Sequence, residues 1–282
     1  MLNNGRMIPQ FGFGVFQIRP EDTAAAVAAA LQAGYRHIDT AQMYGNEKQV
    51  GEAMARSGLD RADVFVTTKL NNDAHVPDDA RRAFSESLSA LGFDYVDLFL
   101  IHWPLPTRYG GDYVSTWKSL EGFYRDGRAR SIGVSNFQPH HLRRLHEESE
   151  IRPAVNQIEV HPFLTQPDLR AFCAEHEIAV EAWSPLAQGE VLDDPEIVSI
   201  AGRAGKTPAQ VILRWHIERG DIIFPKSVTP ARIKENIDIF DFELSGEDVE
   251  TISALDRGER TGPDPDTFPG ELPSATRGAA AG

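Results

Sequence analysis

The chain has 282 residues, 41% of them hydrophobic, and carries 42 acidic against 28 basic side chains for a formal net charge of −14. That length supports a large core in one domain, and the acidic balance argues against non-specific binding to nucleic acid or an anionic membrane surface. The lone Cys173 excludes an intramolecular disulfide, and neither a signal-like apolar leader nor a membrane-length apolar run occurs, so a soluble cytoplasmic protein is expected.

The N-terminal LNNGRMIPQ reads as a short hairpin with an Asn-Gly turn, placed to plug the bottom of a barrel. Strand-like QFGFGV follows, then helix-like DTAAAVAAALQAG, strand YRHIDT and helix NEKQVGEAMARSG. The alternation continues with VFVTTKL, PDDARRAFSESLSALG, YVDLFLIH and YVSTWKSLEGFYRDG. It goes on through RSIGVS, QPHHLRRLHEESE, AVNQIEV and QPDLRAFCAEHE. AVEAWSP precedes two helical segments, DPEIVSIAGRAG and TPAQVILRWHIERG, and DIIFPKS is the last strand. Gly34, Gly58, Gly92, Gly127 and Gly220 follow helical runs as terminating glycines do, and Thr207-Pro208 reads as an N-cap with Pro at N1.

Strands each followed by helix imply parallel βαβ units covered on both faces. An open doubly wound sheet is the alternative to a closed (β/α)₈ TIM barrel. FGFGVF has G-x-G but lacks the third glycine and an immediate helix, so the dinucleotide fingerprint is absent and the barrel is preferred. We expect one barrel domain over residues 1–282, with 257–282 as an irregular C-terminal extension rich in Pro, Gly and Asp, its final TRGAAAG mobile.

In such a barrel the chemistry sits at the carboxyl ends of the strands. There the sequence puts Asp39, Lys69 and His102, then Ser135-Asn136, Asn156-Gln157 with Glu159 and His161, Trp183-Ser184 and Lys226-Ser227. Read singly, Asp39 is a turn former, Tyr44 a packing residue, Lys69 a solvated strand end and His102 a satisfied core histidine. Together on adjacent strands they form a proton-donating set. A phenol with a pKa of ~10 is a poor acid at neutral pH. A nearby ammonium lowers that pKa, and a carboxylate holds the ammonium in place. His102 could orient a carbonyl oxygen, which makes the group suited to carbonyl reduction. A Schiff base on Lys69, as in a barrel aldolase, stays open on residue types alone.

The remaining candidates read more plainly. His37 is structural; His140, His141 and His146 lie on the solvated face of a polar helix; Cys173 is core. Asn46 and Glu47 open the second helix. Trp103 and Phe16 are either core or pocket wall, and no Cys/His spacing calls for a metal.

The segments GYRHIDTAQMYGNE, VFVTTKL, DLFLIHWP, RSIGVSNF, AVNQIEVHP, WSPLAQG and IFPKSVTPARIKEN, in this order, resemble the aldo-keto reductases, in particular the bacterial 2,5-diketo-D-gluconate reductase branch. The resemblance implies a monomeric NADPH-dependent oxidoreductase that reduces small carbonyl compounds. It implies a catalytic tetrad of Tyr44, Asp39, Lys69 and His102, with Tyr44 as general acid. Ser135, Asn136 and Gln157 would hold the nicotinamide carboxamide, and Trp183, where many members have Tyr, would stack on the ring. Ser184, Leu186, Gln188 and Gly189 would follow the pyrophosphate. Lys226, Ser227, Val228, Thr229 and Arg232 would bind the 2′-phosphate, and Glu235 and Asn236 the adenine. Phe16, Trp103 and Asn71 would line the substrate pocket; Asn71 stands where relatives usually carry an aromatic, making one wall more polar. A cofactor-binding regulatory or structural protein on the same fold is the rival reading.

Overall fold

Short runs of Val, Ile, Phe and Leu with no polar alternation can be satisfied only where both faces of a strand are covered. In the computed structural model, which describes residues 1–271, they are. The first half of the chain runs β1 (Phe13–Gly14), α1 (Pro20–Gln32), β2 (His37–Asp39), α2 (Glu47–Arg56), β3 (Phe65–Leu70), α3 (Pro77–Leu91), β4 (Leu98–Ile101) and α4 (Tyr113–Arg125). The second runs β5 (Ile132–Ser135), α5 (Pro139–Glu148), β6 (Val155–Glu159), α6 (Pro167–Glu175), β7 (Ala179–Trp183), α7 (Pro195–Ala204), α8 (Pro208–Glu218), β8 (Ile222–Ile223), α9 (Pro230–Ile237) and α10 (Gly246–Ser253). All six residues of β3 are buried.

The strands are parallel and neighbour one another in sequence order from β1 to β8. Ile223 closes the ring, its N–H donating to Gln10 O at 2.9 Å and its carbonyl accepting from Gly12 N at 2.7 Å. The fold is a (β/α)₈ TIM barrel. The G-x-G of FGFGVF serves this closure: a Cβ on Gly14 would stand 2.6 Å from Phe224 O, and one on Gly12 would stand 2.9 Å from the His37 ring.

Proline sets where the helices start. Pro20, Pro77, Pro139, Pro167, Pro195, Pro208 and Pro230 each open a helix, where the missing N–H costs nothing and the fixed φ is already helical. Thr207 caps α8 with Gln210 returning the bond, as the sequence implies. α10 is not foreshadowed by apolar periodicity; its only local signal is the Ser245–Asp248 capping box.

The N-terminal turn forms, with Gly5 N–H donating to Leu2 O and Leu2 N–H to Arg6 O. It is a three-residue loop with Gly5 at φ +81°, and its arms do not lengthen into strands. Leu2 packs with Phe65, Leu98, Leu100, Ala154 and Val155 inside the barrel bottom, so the plug is real although the hairpin is rudimentary. Residues 257–271 form bends and turns without helix or strand. The expectation of a mobile TRGAAAG falls on residues 276–282, outside the described residues. Among the described residues no helix is long and apolar enough to cross a membrane.

Candidate active site

Strand order and parallel register put Asp39, the last residue of β2, beside Lys69 near the end of β3, with His102 directly after β4. Tyr44 returns over them on a single 3₁₀ turn, Gln42–Tyr44, that ends in Gly45 at φ +68°. Asn46, assigned above to the start of a helix, does more. Its buried amide donates to Val15 O at 3.0 Å and Ile18 O at 3.2 Å and accepts from Thr40 Oγ1 at 3.1 Å. It thereby ties the Tyr44 turn to the loop after β1. Glu47 is also more than a first-turn acid: it is buried and accepts from Thr68 Oγ1 at 2.6 Å.

Lys69 is fully buried, which overturns its reading as a solvated strand end. Its Nζ donates to Asp39 Oδ2 at 2.7 Å, Asp39 Oδ1 at 2.9 Å, Thr40 O at 2.9 Å and Tyr44 OH at 3.3 Å. The rings of Tyr44 and His102 meet edge to face at 5.7 Å, and Phe16 lies 5.0 Å from Tyr44.

Burial dominates the electrostatics. It pushes the Tyr44 phenol up to about 12, against the pull of Lys69. The ammonium lowers the phenol as the sequence predicts, but desolvation of the phenolate outweighs it. Burial also depresses Lys69, yet Asp39 and Tyr44 more than offset this and hold the ammonium charged. Burial, with Lys69 adding to it, keeps His102 well below the usual imidazole range. His102 is therefore a neutral ring, its Nδ1 enclosed without a partner.

Beneath this group lies a layer of which the sequence reading named Gln157 but missed Glu181. Gln157 Nε2 donates to Asp39 Oδ1 at 2.8 Å and to Glu181 Oε2 at 2.7 Å. Glu181 is completely buried, and burial followed by the Asp39 charge pushes its carboxyl up to about 8. A charged residue in the middle of AVEAW, a run otherwise read as covered strand, was the available signal. His37 is structural as expected, buried with its ring nitrogens 3.1 Å from Thr67 Oγ1 and 3.3 Å from Pro9 O.

Around the rim, Ser135 Oγ donates to Gln157 O at 2.8 Å, and Asn136, at φ +66°, donates to His102 O at 3.0 Å. Trp183 Nε1 donates to Asn136 Oδ1 at 2.8 Å, so Ser135, Asn136, Gln157 and Trp183 are one connected set. Ser184, Leu186, Gln188 and Gly189 lie in the turn after β7, Ser184 and Gln188 with positive φ. Ser227 Oγ accepts from Thr229 N at 3.1 Å at the start of α9. Lys226, Val228, Thr229 and Arg232 are exposed there, Glu235 is half-buried and Asn236 buried. Neither Lys226 nor Arg232 has a carboxylate partner among the described residues.

On the other side of the rim, Trp103 is buried against Phe268 at 4.4 Å between ring centroids. Phe268 comes from the C-terminal segment and was not foreseen. Asn71 is half-buried, its Oδ1 accepting from Asn72 N at 2.9 Å, while Asn72 Nδ2 donates to Gly270 O at 2.9 Å.

The histidines of α5 depart from the sequence reading. His140 is exposed, but His141 is buried and His146 half-buried. Metal-type donors of His140, His141 and Asp266 lie within 4.8 Å of one another. Gln138 N–H donates to His141 Nδ1 at 3.1 Å, which puts the ring proton on Nε2, 3.4 Å from Asp266 Oδ1. A protonated nitrogen offers no lone pair, so the group ties the C-terminal segment to α5 and is poorly suited to a cation. Cys173 is core, buried with its thiol pushed up to about 11.

Comparison with known proteins bears on this arrangement. Residues 10–257 match the family model described as "Aldo/keto reductase family". An aldo-keto reductase of Mycolicibacterium smegmatis is 56% identical over 267 residues, covering 95% of this chain and 96% of its own. The methylglyoxal reductase DkgA of Escherichia coli K12 is 47% identical over 271 residues, covering 95% and 97%. The crystal structure of the Bombyx mori aldo-keto reductase AKR2E4 in complex with NADP superposes with a TM-score of 0.86 at 41% identity, covering 92% of each chain. With the family model spanning residues 10–257 and relatives matching almost end to end, the chain belongs to the aldo/keto reductase family.

Proposed function

We propose that the protein reduces small polar aldehydes and ketones to alcohols with NADPH. The observation that carries this is the Lys69 ammonium held 3.3 Å from the Tyr44 hydroxyl by Asp39, beside a neutral His102. The dinucleotide, when bound, supplies the hydride. Tyr44 then gives its proton to the carbonyl oxygen, and the phenolate left behind is stabilised by Lys69. Asp39 keeps Lys69 charged and fixes its direction. His102, uncharged, positions the carbonyl by a hydrogen bond without competing for the proton.

The residues fit the dinucleotide. Gln157 spends its amide N–H groups on Asp39 and Glu181, which leaves Oε1 as the acceptor for a carboxamide. Lys226 and Arg232, exposed beside the first turn of α9, suit a phosphate dianion and favour NADPH over NADH. The substrate class rests on the polar wall at Asn71 and on the E. coli relative named as a methylglyoxal reductase. Dicarbonyls and keto sugar acids such as 2,5-diketo-D-gluconate are the compounds to try first.

The test follows NADPH absorbance against a carbonyl panel, with NADH in parallel, for wild type and Tyr44→Phe. Wild type should turn over and the variant should bind NADPH without turnover. Full activity in Tyr44→Phe would sink the mechanism. Tight binding with no turnover by wild type would favour a regulatory protein.

A further inference from the structure

Glu159, the last residue of β6, has no place in the proton-transfer group, yet it is a completely buried carboxylate. Its partners come from the C-terminal segment. Thr261 N–H and Thr261 Oγ1 each donate to Glu159 Oε1 at 2.6 Å, and Gly262 N–H reaches its two oxygens at 3.2 and 3.3 Å. His161 Nε2 adds a contact at 3.1 Å, and Arg260 approaches to 3.8 Å. These bonds draw the carboxyl below its usual range although burial opposes them.

The residues so anchored pack against Trp183 and the turn after β7. Thr261 Oγ1 is 3.5 Å from Ser184 Oγ, and Thr261 O is 3.5 Å from Gln188 Nε2, both long contacts. A Cβ on Gly262 would collide with the outer edge of the Trp183 ring. Trp183 is itself pinned through Nε1 to Asn136. The short stretch Arg260–Gly262 thus touches Ser184, Gln188 and Trp183, three of the residues assigned above to the dinucleotide.

We propose that Glu159 is a positioning residue: it clamps Arg260–Gly262 as a strap across the dinucleotide channel, holds Trp183 in place through Gly262, and so governs how fast NADPH binds and leaves. This rests on the cofactor assignment under "Proposed function". The physical reason for choosing Glu159 as the control point is its charge. A strap that lifts removes several donors from a buried carboxylate at once, so the strap opens as a unit and seldom.

The experiment measures NADPH binding and release by quenching of protein fluorescence in stopped flow, without substrate, for the full chain and for Glu159→Gln. Glutamine puts a donor against the Thr261 and Gly262 amides. Release should quicken about tenfold or more in Glu159→Gln, the scale expected for losing hydrogen bonds to a charged group. Amide hydrogen exchange of residues 258–264 in the cofactor-free protein should lose protection in the same variant. Thr261→Ser, which keeps the hydroxyl, should release at the wild-type rate. Should Glu159→Gln fail to fold, Gly262→Ala carries the test, because it pushes on Trp183 and leaves Glu159 intact; it too should change the release rate. Wild-type release rates in both Glu159→Gln and Gly262→Ala overturn the strap while leaving the cofactor assignment standing. Failure of the wild-type chain to bind NADPH at all overturns the cofactor assignment instead, and the strap's role with it.

Discussion

Lys69 Nζ sits 2.7 Å from Asp39 Oδ2 and 2.9 Å from Oδ1, with both side chains shut away from solvent. Breaking such a pair from one side strands a buried charge, which costs about 3–5 kcal/mol, whereas removing both partners costs much less than the sum. Asp39→Asn and Lys69→Met should each lower the urea midpoint strongly, and the double variant should recover part of the loss. Strictly additive losses would show that the two residues are not coupled.

The raised Tyr44 phenol and the depressed His102 imidazole set the pH behaviour. With Tyr44 at about 12 and His102 well below its ordinary value, neither titrates near neutrality. Carbonyl reduction needs the protonated phenol and should stay level between about pH 6 and about pH 9. Alcohol oxidation needs the phenolate and should climb about tenfold per pH unit over that range. The steady-state profiles in both directions check this. A break near the ordinary imidazole pKa in the reduction profile would show that His102 carries a titrating proton.

Glu181 makes stability depend on pH. Its carboxyl titrates near 4.5 as a free glutamic acid and at about 8 in the fold, pushed up first by burial and then by Asp39. The folded chain keeps a proton that the unfolded chain gives up between those values. The stability this provides is therefore complete below the lower value and is lost as pH rises through the upper one. Glu181→Gln removes the titration and keeps an acceptor for Gln157. Urea unfolding at about pH 5 should give similar stabilities, and at about pH 9 the variant should be the more stable by a few kcal/mol. Parallel pH profiles for the two proteins would contradict a neutral Glu181.

Lys226 and Arg232 stand exposed around the start of α9, with no carboxylate partner among the described residues. If they hold the 2′-phosphate, replacing either with Ala should weaken NADPH binding by about tenfold or more, one charge-assisted contact's worth. NADH binding should barely change. Equal weakening toward both dinucleotides, measured by fluorescence titration, would place the phosphate elsewhere.

Much of this molecule can be read from its sequence because its signals are local. The uninterrupted apolar runs mark strands covered on both faces, the prolines mark helix starts, and parallel βαβ order then fixes which strand ends meet. That order gathers Asp39, Lys69 and His102 at one rim, with Tyr44 in the loop after Asp39, while their assignment as a catalytic tetrad comes from the family resemblance. The same order puts Ser135, Asn136, Gln157 and Trp183 on that rim, and the resemblance alone points from there to a cofactor.

Burial and the path of irregular chain are the properties that only the tertiary structure decided, because both depend on what packs from elsewhere. The desolvation that lifts Tyr44 overrides the ammonium that the sequence led us to expect would lower it. His141 is polar on its own helix but is covered and faces Asp266 from the C-terminal segment. That segment has no periodicity to read, yet its backbone amides fill the Glu159 carboxylate and its Phe268 covers Trp103. In HIDTAQMYGNE the sequence alone determined where the phenol and the carboxylate stand along the barrel rim; the surrounding packing decided their charge states and what closes over them.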